Sequence, residues 1–290
     1  MTQFVSLQTV VEMTRSIPCA PSLLPKLLAM TRGVNSNAHD IEKLIQTDPG
    51  LATGVLRLAN SAYFASSSKC DSLSEAILRL GSVALYRLAA STVAGRWLVQ
   101  PVNGYGWQPG DLCRHSLCVA VAAEVFAQRT SLAEPETAYT AGLIHDVGKL
   151  ALAYANKSAV EKIADLVPER HSSWRQAEIE VLGYDSCDVT KLLLKNWDFP
   201  SALISVGVFH QHPSDSPKEH RGLVTLIHAA KHVATQIGYG IGVDGFYIEL
   251  DEPALLECGL TEELLDSEIP EILERVERFL EADGNIKGMT

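Results

Sequence analysis

Apolar residues recur at helical spacing along most of the chain. One such face follows Asp48 and Pro49, a pair suited to a helix start, and consists of Leu51, Val55, Leu58 and Ala62. The alternation of apolar and polar residues that would predict strands is nearly absent. The pattern therefore predicts an all-α fold.

The same spacing, read together with capping residues, places the individual helices. Ser72 and Glu75 form a possible capping box, Gly81 is placed to stop that helix, and Thr261 is placed to cap the acidic C-terminal helix or helix pair. Further helices are predicted at Val83–Leu98 and at 111–130, 134–147, 158–167, 172–182, 186–197, 200–210 and 220–237. Residues 238–253, which contain four glycines, are predicted to form a loop or a short extended piece.

One segment indicates a boundary between two parts of the chain. Residues 102–111, VNGYGWQPGD, are rich in glycine and proline, as linkers often are. We therefore expect an N-terminal helical subdomain at 1–101 and a second helical subdomain at 111–290.

Composition narrows the class of protein. The 290 residues are 47% hydrophobic and 20% charged, which is typical of an ordered globular chain. The net charge of −11 disfavours a dedicated nucleic-acid binder. No apolar stretch is long enough to span a membrane, no secretory signal is visible, and the six cysteines form no C-x-x-C pair. We expect a cytoplasmic protein with buried, reduced thiols and no membrane partner.

The candidate chemistry begins with the segment GLIHDVGKL at residues 142–150. His145 and Asp146 are adjacent near the end of a predicted helix, where an imidazole and a carboxylate can bind one divalent ion; the alternative is a polar surface pair. His115 lies on a predicted inward face with Leu112, Val119, Ala122 and Phe126. It is either a hydrogen-bonded core histidine or a member of the same cluster.

Several longer segments resemble the HDOD family, the HD-related output domains of bacterial signalling proteins within the HD phosphohydrolase superfamily. The resemblance covers roughly residues 17–235 and rests on IPCAPSLLPKLL, IQTDPGLATGVLRLANSAYF, SLSEAILRLG, RHSLCVAVAAEVFA, TAYTAGLIHDVGKLAL, LLLKNWDFP and FHQHP. It implies a multi-helix, HD-like fold and a role in bacterial signal transduction.

The resemblance also implies a metal site of the pattern H…HD…D. Of its positions, His115, His145 and Asp146 are present, and His210 survives from a neighbouring pair whose second member is Gln211. Ser186 stands where related sequences often carry histidine. In the HD enzymes Lys149 would meet a substrate phosphate; the alternative is a surface lysine.

The last aspartate of the pattern aligns with Lys231, in LIHAAKHVA. A protonated lysine cannot ligate a metal, and in a buried site it would pair with Asp146 instead. The alternative is that Lys231 points to solvent while another side chain supplies the ligand. A second metal arrangement, His228 with His232 on one helical face, lacks the glutamate of a zinc protease and is more typical of ordinary packing and surface histidines.

Two functions follow from these residues. The first is a non-catalytic regulatory module without a cofactor, which binds a signalling protein or a small regulatory ligand. The alternative is a metal-dependent phosphohydrolase that uses Fe, Mn, Zn, Ni or Mg and acts on a nucleotide, a cyclic dinucleotide or another phosphoester. A redox sensor that uses Cys113 and Cys118 has little support, and the sequence leaves the oligomeric state open.

Overall fold

The computed structural model describes residues 5–14, 24–31, 42–43, 45–46, 49–60, 70–100, 102, 104–170, 173–239, 242–247 and 249–282. These residues contain fourteen α-helices, two 3-10 helices and no strand. The predicted all-α fold is confirmed.

The helices follow one another with short connections. The first four are α1 Leu7–Met13, α2 Leu24–Thr31, α3 Pro49–Ala59 and α4 Leu73–Leu98. The next six are α5 Asp111–Thr130, α6 Pro135–Ile144, α7 Val147–Ala155, α8 Lys157–Arg170, α9 Trp174–Leu182 and α10 Ser186–Asn196. The last are α11 Ser201–Phe209, α12 Lys218–Gln236, α13 Glu252–Glu257 and α14 Glu262–Ala282, and the 3-10 helices are Pro213–Asp215 and Val243–Tyr247.

The predicted helix ends agree with the observed ones where a capping residue identified them. The Ser72 hydroxyl accepts a hydrogen bond from the Glu75 amide at 3.1 Å, and the Thr261 hydroxyl accepts one from the Leu264 amide at 3.3 Å. Gly81 has a φ of +73° and bends α4 by 114°. In the described part of the chain, no single helix is long and apolar enough to cross a membrane; only the bent halves of α4 together meet that criterion.

Helix α5 lies at the centre of the core. It packs against α6, α12, α14 and α4, and its inward residues Leu112, His115, Val119, Ala122 and Phe126 are all buried, as predicted. This burial places His115 inside the fold, where its imidazole must find polar partners.

The glycine-rich segment before α5 is packed rather than loose, which corrects its interpretation as a linker. Tyr105 is completely buried and Trp107 is 7% exposed. A Cβ on Gly104 would lie 2.6 Å from a methyl of Val160, so the glycines allow close packing. Core residues on both sides of the segment belong to one hydrophobic cluster, and the division into 1–101 and 111–290 stays a prediction.

The cysteines in the described residues form no disulfide. Cys70, Cys113, Cys118 and Cys187 are buried, as expected, and Cys258 is half-buried. Burial raises the pKa of the Cys118 thiol to about 12, which keeps it protonated and unreactive. Cys19, Asp48 and the beginning of IPCAPSLLPKLL lie outside the described residues.

We expect Gly142→Ala to lower the free energy of unfolding by about 1–3 kcal/mol, because a Cβ there would overpack the contact between α6 and α5. That atom would lie 2.5 Å from Cα of Ala120. Gly95→Ala is the matched control, since its Cβ would lie 3.7 Å from the nearest atom, the Cys113 sulfur. Urea unfolding followed by circular dichroism measures both, and equal effects would contradict the close approach.

Candidate functional site

The His145-Asp146 dipeptide forms the turn between α6 and α7 and lies inside the protein. The two residues are 0% and 3% exposed, so the alternative of a polar surface pair is wrong. The turn packs tightly against α10: the Gly148 amide donates to the Thr190 hydroxyl at 3.0 Å, and a Cβ on Gly148 would lie 2.1 Å from the Ser186 carbonyl oxygen. Gly148 therefore lets this turn reach the core.

Three helices bring further polar side chains to this turn. The ligating atoms of His115, His145 and Asp146 all lie within 4.8 Å of one another. The Nε2 atom of His210, at the end of α11, lies 3.3 Å from Oδ1 of Asp146. Side chains that the sequence placed in one metal site are therefore neighbours in the fold.

Lys231 lies in the same cluster and not on the surface. Its side chain is buried, and Nζ lies 2.9 Å from Oδ2 of Asp146 and 3.4 Å from Nε2 of His210. The alternative in which Lys231 points to solvent does not hold. The carboxylate has the ammonium partner that a buried charge requires.

Lys149 is a second buried cation, and it is not the surface lysine that one interpretation gave. Its Nζ atom donates to Oδ2 of Asp146 at 2.8 Å and to Oδ2 of Asp244 at 2.5 Å. Asp244 also accepts from Nε1 of Trp107 at 2.9 Å. Sequence reasoning missed Asp244, because it lies in the glycine-rich segment 95 residues beyond its partner, with no local spacing that marks it.

Backbone carbonyls contact one ring nitrogen of each of the three histidines. The Nδ1 atoms of His115, His145 and His210 lie 3.1, 2.8 and 3.0 Å from the carbonyl oxygens of Tyr239, Gly142 and Val206. A carbonyl oxygen only accepts, so we assign the proton of His115 to Nδ1. The Nε2 atoms of His145 and His210 face a second acceptor, the Asp146 carboxylate, at 3.2 and 3.3 Å. Among the described residues, no hydrogen-bond donor reaches Nε2 of His115 or of His145.

Burial and the two lysines set the charges. Burial lowers the pKa of His115 and His145, and lowers that of His210 to about 3, so all three rings are neutral. Burial alone would raise the pKa of Asp146, but Lys149 and Lys231 hold it well below its usual range. The cluster thus contains an ionised carboxylate that two cations share.

The pKa values of the two lysines shift in opposite directions. Asp146 and Asp244 outweigh burial and raise the pKa of Lys149. For Lys231, burial and the neighbouring Lys149 outweigh Asp146, and the pKa is lowered.

The cluster contains ligands that suit a divalent metal ion and cations that oppose one. The neutral imidazoles and the carboxylate are suitable ligands for Zn²⁺ or Fe²⁺. However, Lys149 and Lys231 both lie within 3 Å of Oδ2 of Asp146, and their positive charges would repel an ion bound to this carboxylate. His115, His145 and Asp146 are close enough to share a metal ion, and the two lysines beside them oppose its charge.

The other paired histidines do not form a metal site. Nδ1 of His228 lies 2.8 Å from the His210 carbonyl oxygen, and Nε2 accepts from the Asp251 amide at 3.0 Å. Both ring nitrogens of His228 are therefore engaged by the backbone, and His232 is half-buried with no described role in the cluster. These contacts favour the packing interpretation.

A pocket opens over the cluster. Its empty volume is about 560 Å³, part of it open to solvent. The buried lining is formed by Lys149, Trp174, His210, His228, Lys231 and Asp244, and the more exposed lining by Ser173, Arg175, Gln211, His212 and Glu249. A small molecule that entered it would meet charged and imidazole side chains together with the indole of Trp174.

A second buried carboxylate, Glu178 on α9, was also missed by the sequence analysis. Its Oε1 accepts from Tyr105 at 2.8 Å and from Trp174 at 3.1 Å, and its Oε2 accepts from the Ser186 amide and hydroxyl at 2.8 and 2.9 Å. Both hydrogen-bond donors of Ser186 are thus engaged by Glu178. An acidic residue in an amphipathic helix carries no local signal of such burial.

Comparison with protein families agrees with this geometry. The HDOD domain family matches residues 17–213, and the chain belongs to that family. An uncharacterized protein of Treponema pallidum (strain Nichols) is 25% identical over 210 residues, which cover 71% of this chain and 40% of that protein. The chain therefore spans about two fifths of the length of this relative.

Solved structures share the fold. A protein of Marinobacter aquaeolei whose name suggests signal transduction matches with a TM-score of 0.75 at 21% identity, over 99% of this chain and 62% of the other. A protein of Shewanella amazonensis whose name suggests a phosphohydrolase matches with a TM-score of 0.66 at 22% identity, over 99% and 98% of the two chains. At these identities the likeness concerns the fold alone.

Proposed function

We propose that the chain is a regulatory output module of bacterial signalling that acts by binding and not by hydrolysis. The observation that carries this proposal is the arrangement of Lys149 and Lys231, whose ammonium groups lie 2.8 and 2.9 Å from one oxygen of Asp146. In metal-dependent hydrolysis that carboxylate would ligate the ion.

An ammonium group can replace the positive charge of a metal ion but not its ability to bind ligands. Lys231 supplies a positive charge, which keeps Asp146 ionised and the turn between α6 and α7 in place. An ammonium group has no open coordination position, so it cannot bind a water molecule and convert it to the hydroxide nucleophile that a metal ion would supply. The cluster therefore stabilises the shape of the pocket and needs no cofactor.

The pocket supports a binding role. Its mouth presents Arg175, Gln211 and His212 beside the indole of Trp174, and such polar groups next to an aromatic ring are typical of binding sites. Membership of the HDOD family and the Marinobacter relative support a place in signal transduction. The bound species is either a small regulatory ligand or a segment of a signalling protein.

A metal-dependent phosphohydrolase is the second candidate, and one observation favours it. The Nε2 atoms of His115 and His145 are buried ring nitrogens without a hydrogen-bond donor in the described residues, and buried groups of this kind often indicate an ion or a water molecule. The Shewanella relative, by its name, also favours this candidate.

Elemental analysis of the full chain, purified without chelator, separates the two functions. We expect well under one Fe, Mn, Zn or Ni per chain, because the lysines repel such an ion, and no turnover of p-nitrophenyl phosphate or bis(p-nitrophenyl) phosphate with added Mn²⁺, Zn²⁺ or Mg²⁺. Asp146→Asn is the matched control for contaminating activity. About one ion per chain, with turnover that Asp146→Asn abolishes, would establish the hydrolase instead.

A further inference from the structure

Glu178 joins three segments of the fold through a single carboxylate. Its four hydrogen bonds come from Tyr105 in the segment before α5, from Trp174 at the start of α9, and from the amide and hydroxyl of Ser186 at the start of α10. The residue is 1% exposed, and no cation contacts the carboxylate among these bonds. An ionised carboxylate without a cationic partner is unusual at this depth.

The bonding arrangement also accommodates a protonated carboxyl group. Two of the four donors, Tyr105 and Ser186, are hydroxyls, and a hydroxyl can turn from donor to acceptor. The Trp174 indole and the Ser186 amide can only donate. A proton on either carboxyl oxygen therefore finds one acceptor, but the hydroxyl that turns no longer donates to Glu178.

The surroundings place this protonation near neutral pH. Burial raises the pKa of Glu178 to about 7, although hydrogen bonds from Ser186 and Tyr105 lower it and the nearby Asp185 raises it. The other titratable groups that face it are Tyr105, Tyr184 and Cys187. Helix α8, which packs against α9, buries Val160, Ile163 and Val167, while its Glu161, Lys162 and Asp165 are not buried.

The donors to Glu178 connect it to the pocket. Trp174 and its neighbour Arg175 line the pocket wall, and Arg175 donates to Asp185 at 2.6 Å, directly before Ser186. The ring of Tyr105 lies 5.9 Å from Nζ of Lys149, within the range of a cation–π contact. One carboxylate thus holds the wall of the pocket and contacts a ring that faces the lysine cluster.

We infer that Glu178 is a positioning residue for the pocket, and that proton uptake on it reverses one of its two hydroxyl hydrogen bonds and so weakens the hold of the carboxyl group on the wall formed by Ser173, Trp174 and Arg175. The pocket would then have two states, one with the wall held by the ionised carboxylate and one with it loosened. The meaning of this change for binding rests on the proposed function. The protonation itself does not depend on it.

The experiment uses ¹⁵N-tryptophan labelling of the full chain, which has four tryptophans. Nε1 of Trp174 donates to Glu178 and Nε1 of Trp107 donates to Asp244, so each indole signal reports on one cluster. We expect the Trp174 signal, assigned with Trp174→Phe, to shift between pH 5.5 and 8.5 with a midpoint of about 7. The Trp107 signal is the internal control and stays nearly constant.

Two variants separate titration of Glu178 from a general loosening of the fold. Glu178→Gln removes the titration of the Trp174 signal. Ser186→Ala removes one hydrogen bond to the ionised form and raises the midpoint by about one pH unit. An invariant Trp174 signal in the wild type would overturn the inference, and so would a Ser186→Ala midpoint that does not rise. Metal content is measured separately, so failure of the proposed function leaves this test unaffected.

Discussion

The Asp146→Ala variant is expected to lose about 3–5 kcal/mol of its free energy of unfolding at neutral pH. The substitution leaves Lys231 buried with no carboxylate within hydrogen-bond distance in the described structure, and leaves Lys149 with Asp244 alone. An unpaired buried charge must either lose its proton or admit water, and both are costly. Urea unfolding at pH 7, followed by circular dichroism, measures the effect.

The matched control is a carboxylate in an exposed ion pair. Glu257, whose side chain is 57% exposed, lies 3.2 Å from Arg221, and Glu257→Ala is expected to cost no more than about 1 kcal/mol. The double variant Asp146→Ala/Lys231→Met should regain part of the stability lost by Asp146→Ala, because no unpaired ammonium remains at position 231. A double variant less stable than the single one would contradict the pairing.

The Lys231→Asp variant is expected to bind about one Mn²⁺ or Zn²⁺ per chain, where the wild type binds well under one. A carboxylate there removes a cation that lies 2.9 Å from Asp146 and completes the H…HD…D pattern. His115 and His145 already direct a ring nitrogen toward Asp146, within 4.8 Å of one another. A metal that binds only the folded chain also stabilises it, by about 2.7 kcal/mol at one hundred times its dissociation constant.

Metal binding is measured by equilibrium dialysis with elemental analysis. The accompanying stabilisation is measured by thermal unfolding with and without metal. Lys231→Ala is the control, since it removes the repulsion without adding a ligand and should bind the ion more weakly than Lys231→Asp. If Lys231→Asp folds yet binds no ion at millimolar concentration, the lysine is not what excludes metal from the cluster. Lys149, which remains on the same carboxylate, would then be the next residue to replace.

Sequence periodicity was sufficient to predict most of the helices and the inward face of α5 that carries His115. The prediction for 111–130 coincides with α5, because its apolar spacing is set by burial along its whole length. The prediction for 134–147 extends past the break at His145 and Asp146, because His145 keeps helical dihedral angles and only Asp146, at φ −109° and ψ 18°, leaves them. The glycines of 102–111 predict a linker by their composition, yet in the fold they allow close packing, which composition does not distinguish from a loose loop.

The sequence by itself determined the helical class and the inward face of His115, since these depend on local spacing, and its resemblance to the HDOD family implied that Lys231 departs from the metal-binding pattern. Only the tertiary structure decided that Lys149 is buried, that Asp244 shares it with Asp146, and that Glu178 holds Trp174 of the pocket wall. The physical reason is that an ion pair depends on which charges the folded chain brings within about 3–4 Å. Asp146 and Lys231 are 85 residues apart and Lys149 and Asp244 are 95 apart, so helix packing, which no periodicity encodes, sets both contacts.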